Sequence, residues 1–396
     1  MGSSSSLVQN SSDNLYCFYN LSHSPALLHV VLYTAQVFRD MVLDGSSGPS
    51  PVARFHLAQA LKHLQDRLGD ENLAVSETNL YVVATLAMAA VYVGDILAAD
   101  VHMTALQQML HVRGGLGSLK QGTMLEHKAQ RCGSTKCAMH NWMRANRDDR
   151  LDFALALSLG GRLRFFRNDV PSSPQLATGS SARRYPEFAA IKPQLHPGLL
   201  NIWADMRTFA AAANKSATSN GRMTSGLLSK LIETVPPRLL ALDFDPTSTA
   251  ELLRLCMLVI LKSILMPSPG FGKLLGFIAS RLKTNLLARD DRPSPELGPL
   301  LLWALFVTAL SVFEDFDREW IRAMIVQTAK TLTKSYRCWA DFKTLLSGHI
   351  WLDAIFDRPA EQLYDECIGA KHPPQPLGQN LMTSTAIPEV CSQEER

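Results

Sequence analysis

The sequence predicts an all-α fold, a large multi-helix array. Three observations lead there. Apolar residues recur at helical spacing from Ser24 to Glu366. Start and stop residues of the right kind bracket those runs. No alternating apolar runs flank a hairpin turn, and no repeat of fixed period stands out.

Residues 1–22 are polar and serine-rich and are expected to form a disordered leader. Met1-Gly2 with Ser6 fits a myristoylation pattern, though a plain leader fits it equally. Ser24-Pro25 reads as an N-cap followed by proline at the first helical position. The helix should run to about Leu43, with Leu28, Val31, Leu32, Ala35, Phe38 and Val42 inward. Ser50-Pro51 repeats the signal, and Val52, Phe55, Ala58, Leu61, Leu64 and Leu68 make the next stripe, up to Gly69. Ser76 opens a third helix through Val93, and Gly94 separates it from a fourth. Short connections make these an antiparallel array.

The fourth helix ends hard. Within Ala98–Leu119, Val101, Ala105, Met109 and Val112 form an apolar stripe. Arg113-Gly114-Gly115-Leu116 follows. Gly115 is expected to take the left-handed conformation that stops the helix, with Leu116 folding back toward Leu110. Arg113 suits the negative end of the helix dipole.

Residues 120–194 differ: proline and glycine rise and periodicity fades, a basic, loop-rich insert. Lys120, Lys128, Arg131, Lys136, Arg144, Arg147 and Arg150 outnumber Glu126, Asp148 and Asp149. One helix is expected at Arg150–Gly160, with Phe153, Leu155, Ala156 and Leu159 as its apolar residues. Helices resume at Pro197–Ala213 and at Gly226–Val235, the latter stopped by Pro236-Pro237. Ser248-Thr249-Ala250-Glu251 has the form of a capping box. Further helices are expected at Lys273–Ala288 and across Gly298–Glu366. Residues 369–396 should be a disordered tail.

Composition bounds the function. The chain has 396 residues, 46% hydrophobic and 19% charged, which is globular. A net charge of +3 is too mild to imply nucleic-acid binding by itself. Seven scattered cysteines give no disulfide framework, and Cys256 and Cys338 read as buried thiols. The longest apolar runs, Leu80–Val93 and Pro299–Phe313, fall short of the ~20 residues a bilayer needs and read as helices buried all round. No membrane association is expected.

Motifs for chemistry are weak. His127, Cys132, Cys137 and His140 have zinc-ligand character without a familiar spacing, so no metal or other cofactor is expected. Gly270-Phe-Gly-Lys273 lacks a phosphate loop's first glycine, Pro267 standing there, and its Ser or Thr, Leu274 standing there. Glu314, Asp315, Asp317 and Glu319 read as the start of a helix, where negative charge is favourable. The chain is read as not an enzyme. The basic residues from Lys120 to Arg150 are read as a solvated loop, with nuclear import or weak phosphate contact the other reading.

His102, Leu106, Met109 and Arg113-Gly114-Gly115-Leu116 resemble a motif in the middle regulatory region of fungal zinc-cluster transcription factors. In that family a histidine opens the helix and Arg-Gly-Gly closes it. A second match comes later: Leu301, Leu302, Trp303, Leu305 and Phe306, then Trp320, then Trp339 and Asp341, then Leu345, Leu346, Trp351 and Asp353. Ser24, Pro25, Leu27, Leu28 and His29 resemble the region's opening. The resemblance runs in order from about residue 20 to about 368 and defines one regulatory domain, 23–368.

The resemblance implies a nuclear transcriptional regulator, with control of a gene cluster for secondary metabolism as its setting. Its signature residues would be His102, Arg113, Gly114, Gly115, Trp303, Trp320, Trp339 and Trp351. The family's DNA reader, two zinc ions on six cysteines, needs C-x2-C pairs, and these 396 residues contain none. The implied partners are therefore other transcription factors or co-regulators, with a homo- or heterodimer open and DNA contact weak and non-specific at most. The other reading is a helical scaffold or ligand-sensing module unconnected to DNA.

Overall fold

The computed structural model describes residues 23–115, 147–161, 163–164, 176, 188, 195–218, 225–266, 275–289, 297–312, 318–332 and 338–369. Among these residues the regular elements are helices and none is a strand: the chain is all-α. In order they are α1 Pro25–Phe38, α2 Pro51–Leu68, α3 Glu71–Ala74, α4 Glu77–Val93, α5 Ile96–Val112, α6 Arg147–Leu159 and α7 Pro197–Thr218. Then come α8 Ser225–Ala241, α9 Thr249–Leu265, α10 Gly276–Leu287, α11 Gly298–Ser311, α12 Arg318–Thr331, α13 Trp339–Ser347 and α14 Asp353–Cys367. A π-helical turn, Arg39–Leu43, extends α1.

Serine hydroxyls set four of the starts. Ser24, Ser50, Ser76 and Ser248 each stand one residue ahead of a helix and accept from the backbone N–H three residues on. Asp95 does the same for α5, accepting from the Ala98 N–H at 2.9 Å. Gly94, between α4 and α5, has φ +83° and lets the chain reverse there.

Three helices are covered on every side, as the unbroken apolar text of α4 and α11 suggests for those two. They are buried without a gap over Val82–Tyr92 in α4, Ala250–Leu261 in α9 and Leu300–Thr308 in α11. The other helices pack around them. α1 lies on α2 and α4, and α5 on α4. α9 is covered by α7, α8, α10 and α11, and α11 by α12, α13 and α14. α6 touches α4 and α5 on one side and α9 and α10 on the other, joining the two groups.

Several faces differ from those the sequence suggests. In α1 the buried residues are Ala26, Leu27, Val30, Tyr33, Thr34 and Val37, while Leu28 and Leu32 face solvent. In α2 they are Ala53, Ala60 and Leu64, while Val52, Phe55, Leu61 and Leu68 are exposed. In α5 they are Ala99, Met103, Leu106 and Leu110, while Val101 and Val112 are exposed. Leu159 of α6 is exposed too. In α2 the buried line runs through Ala53 and Ala60, small residues that a stripe chosen by size alone passes over.

Four local expectations also change. α8 continues through Pro236 and Pro237, because Leu231, Ile232, Val235 and Leu239 stay on one buried face while the lost N–H groups affect only the last turns. Cys338 is exposed, since it precedes the first turn of α13 in extended backbone. Glu251 fills half a capping box: its N–H donates to Ser248 Oγ at 3.1 Å, but its carboxylate turns inward to Arg254 and Arg281. Finally, α5 ends on both glycines. Gly114 at φ +103° donates to the His111 carbonyl, and Gly115 at φ +84° donates to the Leu110 carbonyl. That pair of bonds is the Schellman closure, with Gly114 in the place expected for Gly115. Leu116 lies outside the described residues.

Two stability predictions follow from these helix ends. A Cβ at Gly115 meets nothing within 4 Å, so Gly115→Val should cost backbone strain alone, about 1–3 kcal/mol by chemical denaturation. Glu251 is fully buried and holds Arg254 at 2.7 and 2.8 Å. Glu251→Ala, which leaves that guanidinium buried without its carboxylate, should cost about 3–5 kcal/mol.

Candidate functional site

Five of the eight residues singled out by the resemblance fall at two joints of the fold, Arg113, Gly114 and Gly115 at the first and Trp303 and Trp351 at the second. The first is the end of α5. Arg113 Nη1 donates to the Val75 carbonyl at 2.9 Å, and Nη2 donates to Glu77 Oε1 at 3.0 Å. Val75 precedes the Ser76 cap and Glu77 is the first residue of α4. Arg113 therefore ties the end of α5 to the start of α4, while Gly114 and Gly115 turn the chain away. His102 does not open the helix, because Asp95 does. It sits mid-helix and half-buried, and burial pushes its imidazole below the ordinary pKa against the opposing pull of Asp95.

The second joint lies where α7, α11 and the residues between α13 and α14 meet. Trp303, on α11, is fully buried, and its Nε1 donates to the Ile350 carbonyl at 2.9 Å. Trp203, on α7, meets it edge-on with ring centres 5.1 Å apart. Phe188 also packs edge-on against Trp203, centres 4.8 Å apart. The His349 ring stacks on Trp303 at 5.5 Å and stands perpendicular to Trp203 at 6.4 Å. Edge-to-face and offset contacts of this kind add ~0.5–1.5 kcal/mol each beyond the area they bury.

Trp351 closes this joint from the chain's far end. Its Nε1 donates to Asp357 Oδ1 at 2.8 Å, and its carbonyl accepts from Asn214 Nδ2 at 3.0 Å. Asn214 Oδ1 in turn accepts the Asp353 N–H at 3.0 Å. One side chain of α7 thus satisfies the backbone on both sides of residue 352. Trp339 is half-buried and lies beside Phe342 and Tyr364. Trp320, also half-buried, carries Lys283 Nζ 5.7 Å from its ring centre. The structure thus brings Trp303 and Trp351 to one joint and sets Trp320 and Trp339 at the outer contacts of α12 and α13.

Sequence reasoning missed His349, Trp203 and Asp205. Asp205 is fully buried on α7, accepts the Leu176 N–H at 2.6 Å and pairs with Arg238 of α8 at 2.5 Å. His349 is buried; its Nδ1 lies 3.1 Å from the Leu345 carbonyl, and its Nε2 has no hydrogen-bond partner among the described residues. A His two residues before Trp351 was the available signal, but its burial depends on α7 and α11.

His127, Cys132, Cys137 and His140 lie outside the described residues, as do the basic positions Lys120–Arg144, the Gly270–Lys273 stretch and Glu314–Asp317. Among the described residues no group of three or more His, Cys, Asp or Glu is arranged to hold a metal ion. No described helix is long and apolar enough to cross a membrane.

His349 makes the joint sensitive to acid. Burial first, then the charge of Arg207, lowers its pKa to about 4 from 6.5, against the opposing bond to the Leu345 carbonyl. The folded state thus keeps the ring neutral where the unfolded chain takes up a proton. The stabilisation is complete above pH 6.5, declines between pH 6.5 and about 4, and changes no further below. The expected loss across that window is about 3 kcal/mol. His349→Leu should flatten this limb of a stability–pH curve from denaturant melts.

Set against protein-family models, curated proteins and solved structures, the chain matches none.

Proposed function

We propose that the chain is a nuclear transcriptional regulator of the fungal zinc-cluster type in its regulatory region, acting through protein association. The carrying observation is the order of signature residues from Ser24 to Asp353, which resembles that region over most of the chain. Where such a signature marks joints, its residues hold helices together. The physical roles of Arg113, Gly114, Gly115, Trp303 and Trp351 suit that reading. These 396 residues contain no C-x2-C pair, so by themselves they would reach a promoter through a partner that reads DNA. Control of a secondary-metabolite gene cluster is the setting the resemblance suggests.

The test is a salt-controlled binding assay of the purified chain on candidate promoter fragments, alongside transcript profiling after gene deletion. Binding to duplex DNA should be weak, steeply weaker with salt and nearly indifferent to sequence. A defined gene set should change on deletion. Sequence-specific affinity near ~10 nM at physiological salt would mean that the chain reads DNA itself. An unchanged transcript profile, with a small molecule retained in native mass spectrometry, would move the assignment to a ligand-sensing module.

A further inference from the structure

Away from both joints, three imidazoles meet where α1 faces α2. His29 comes from α1. His56 and His63 come from α2, seven residues apart and so on one side of that helix. His29 Nδ1 lies 2.9 Å from His56 Nδ1. The His63 ring stacks on that of His29, centres 6.0 Å apart and 14° from parallel. Phe55 meets His29 edge-on at 6.1 Å. All three histidines are half-exposed, so solvent reaches the cluster.

Two facing ring nitrogens this close have two favourable states. One N–H donates to the other lone pair, or both lone pairs point at a shared cation. The distance is that of an ordinary hydrogen bond, and it fits the second state as well. At metal–nitrogen lengths of ~2.0–2.1 Å, nitrogens 2.9 Å apart subtend about 90° at the ion. Ions of square or octahedral habit, Ni(II) and Cu(II), take that angle. The partners come from two packed helices, so the geometry is held in place before an ion arrives.

We propose that His29 and His56 form a two-imidazole site for a divalent transition ion of the Ni(II) or Cu(II) type, with water completing the shell, and that the bound ion pins α1 to α2. His63 stacks beside the site and is not a ligand. Only the α1–α2 pair is involved, so the proposal stands or falls independently of any role in transcription.

The probe is NiCl2 added to the untagged full chain at pH 7.5, since the chain's seven cysteines would reduce copper. One equivalent should bind by calorimetry and raise the melting temperature, whereas MgCl2 should do neither. His29→Gln or His56→Gln should each weaken binding at least about tenfold. His63→Gln and His111→Gln should leave it within about threefold of the parent. Affinity should fall as pH drops to 5.5, because protons compete for the same nitrogens. On the parent chain, Ni(II) should shield His29 and His56, but not His111, from diethyl pyrocarbonate, as read by peptide mass spectrometry. This readout needs no variant to fold. Equal uptake by His29→Gln and the parent would overturn the site, as would absence of shielding. A loss in His63→Gln as large as in His56→Gln would overturn the two-imidazole assignment.

Discussion

The fold depends on covering α9. From Ala250 to Leu261 it shows solvent no face, yet two of those residues, Glu251 and Arg254, are charged. A carboxylate in such a place is tolerable only if cations and hydrogen bonds replace the water it loses. Arg254 supplies two bonds from the same helix and Arg281 a third from α10. Burial alone would raise the Glu251 pKa, but these bonds and charges outweigh it and hold the carboxyl below its ordinary value. The position of α10 is thus set by charge as much as by apolar contact. Asn285, also on α10 and fully buried, donates to the carbonyls of Pro246 and Ser248, which fixes the approach to α9.

The same logic recurs one layer out. Asp205 lets α7 bind α8 through Arg238 and also takes the N–H of Leu176. Phe188 packs on Trp203 of that same helix. Phe153–Leu157 of α6 are buried between the two groups of helices. Leu176 and Phe188, outside the regular helices, thus join the core singly, one through a polar bond and one through an aromatic contact.

Much of this was legible in the sequence, and the limit is physical. Helix starts were legible because a cap is local: Ser24, Ser50, Ser76 and Ser248 need only the next three residues. Full burial of α4 and α11 was legible because an all-apolar run leaves no polar face to choose. Facing was not. In α2 the contact line runs through Ala53 and Ala60, and only the partner helix reveals that small residues mark the interface. The direction of Glu251 was hidden for the same reason, since its cations lie at Arg254 and, thirty residues on, at Arg281. At the second joint the tryptophans were visible, but His349 was not, because its environment is assembled from α7, α11 and the chain before α14.

Arg113, Gly114, Gly115, Trp303 and Trp351 all act within the molecule: they close a helix, bridge to a carbonyl or a carboxylate, or fill a joint. Residues of this kind constrain shape strongly and partner choice weakly. Specificity has to come from side chains that the core does not use. The outward residues of α1, α2 and α5, among them Leu28, Leu32, Phe55, Val101 and Val112, are of that kind, and so is the imidazole cluster beside them. They lie on the solvent side of helices whose buried faces carry the packing, so their side chains can change at little cost to the fold. A scaffold locked from within leaves its outer helices free to take up new contacts, and it is on those faces that sequence differences would alter binding without altering shape.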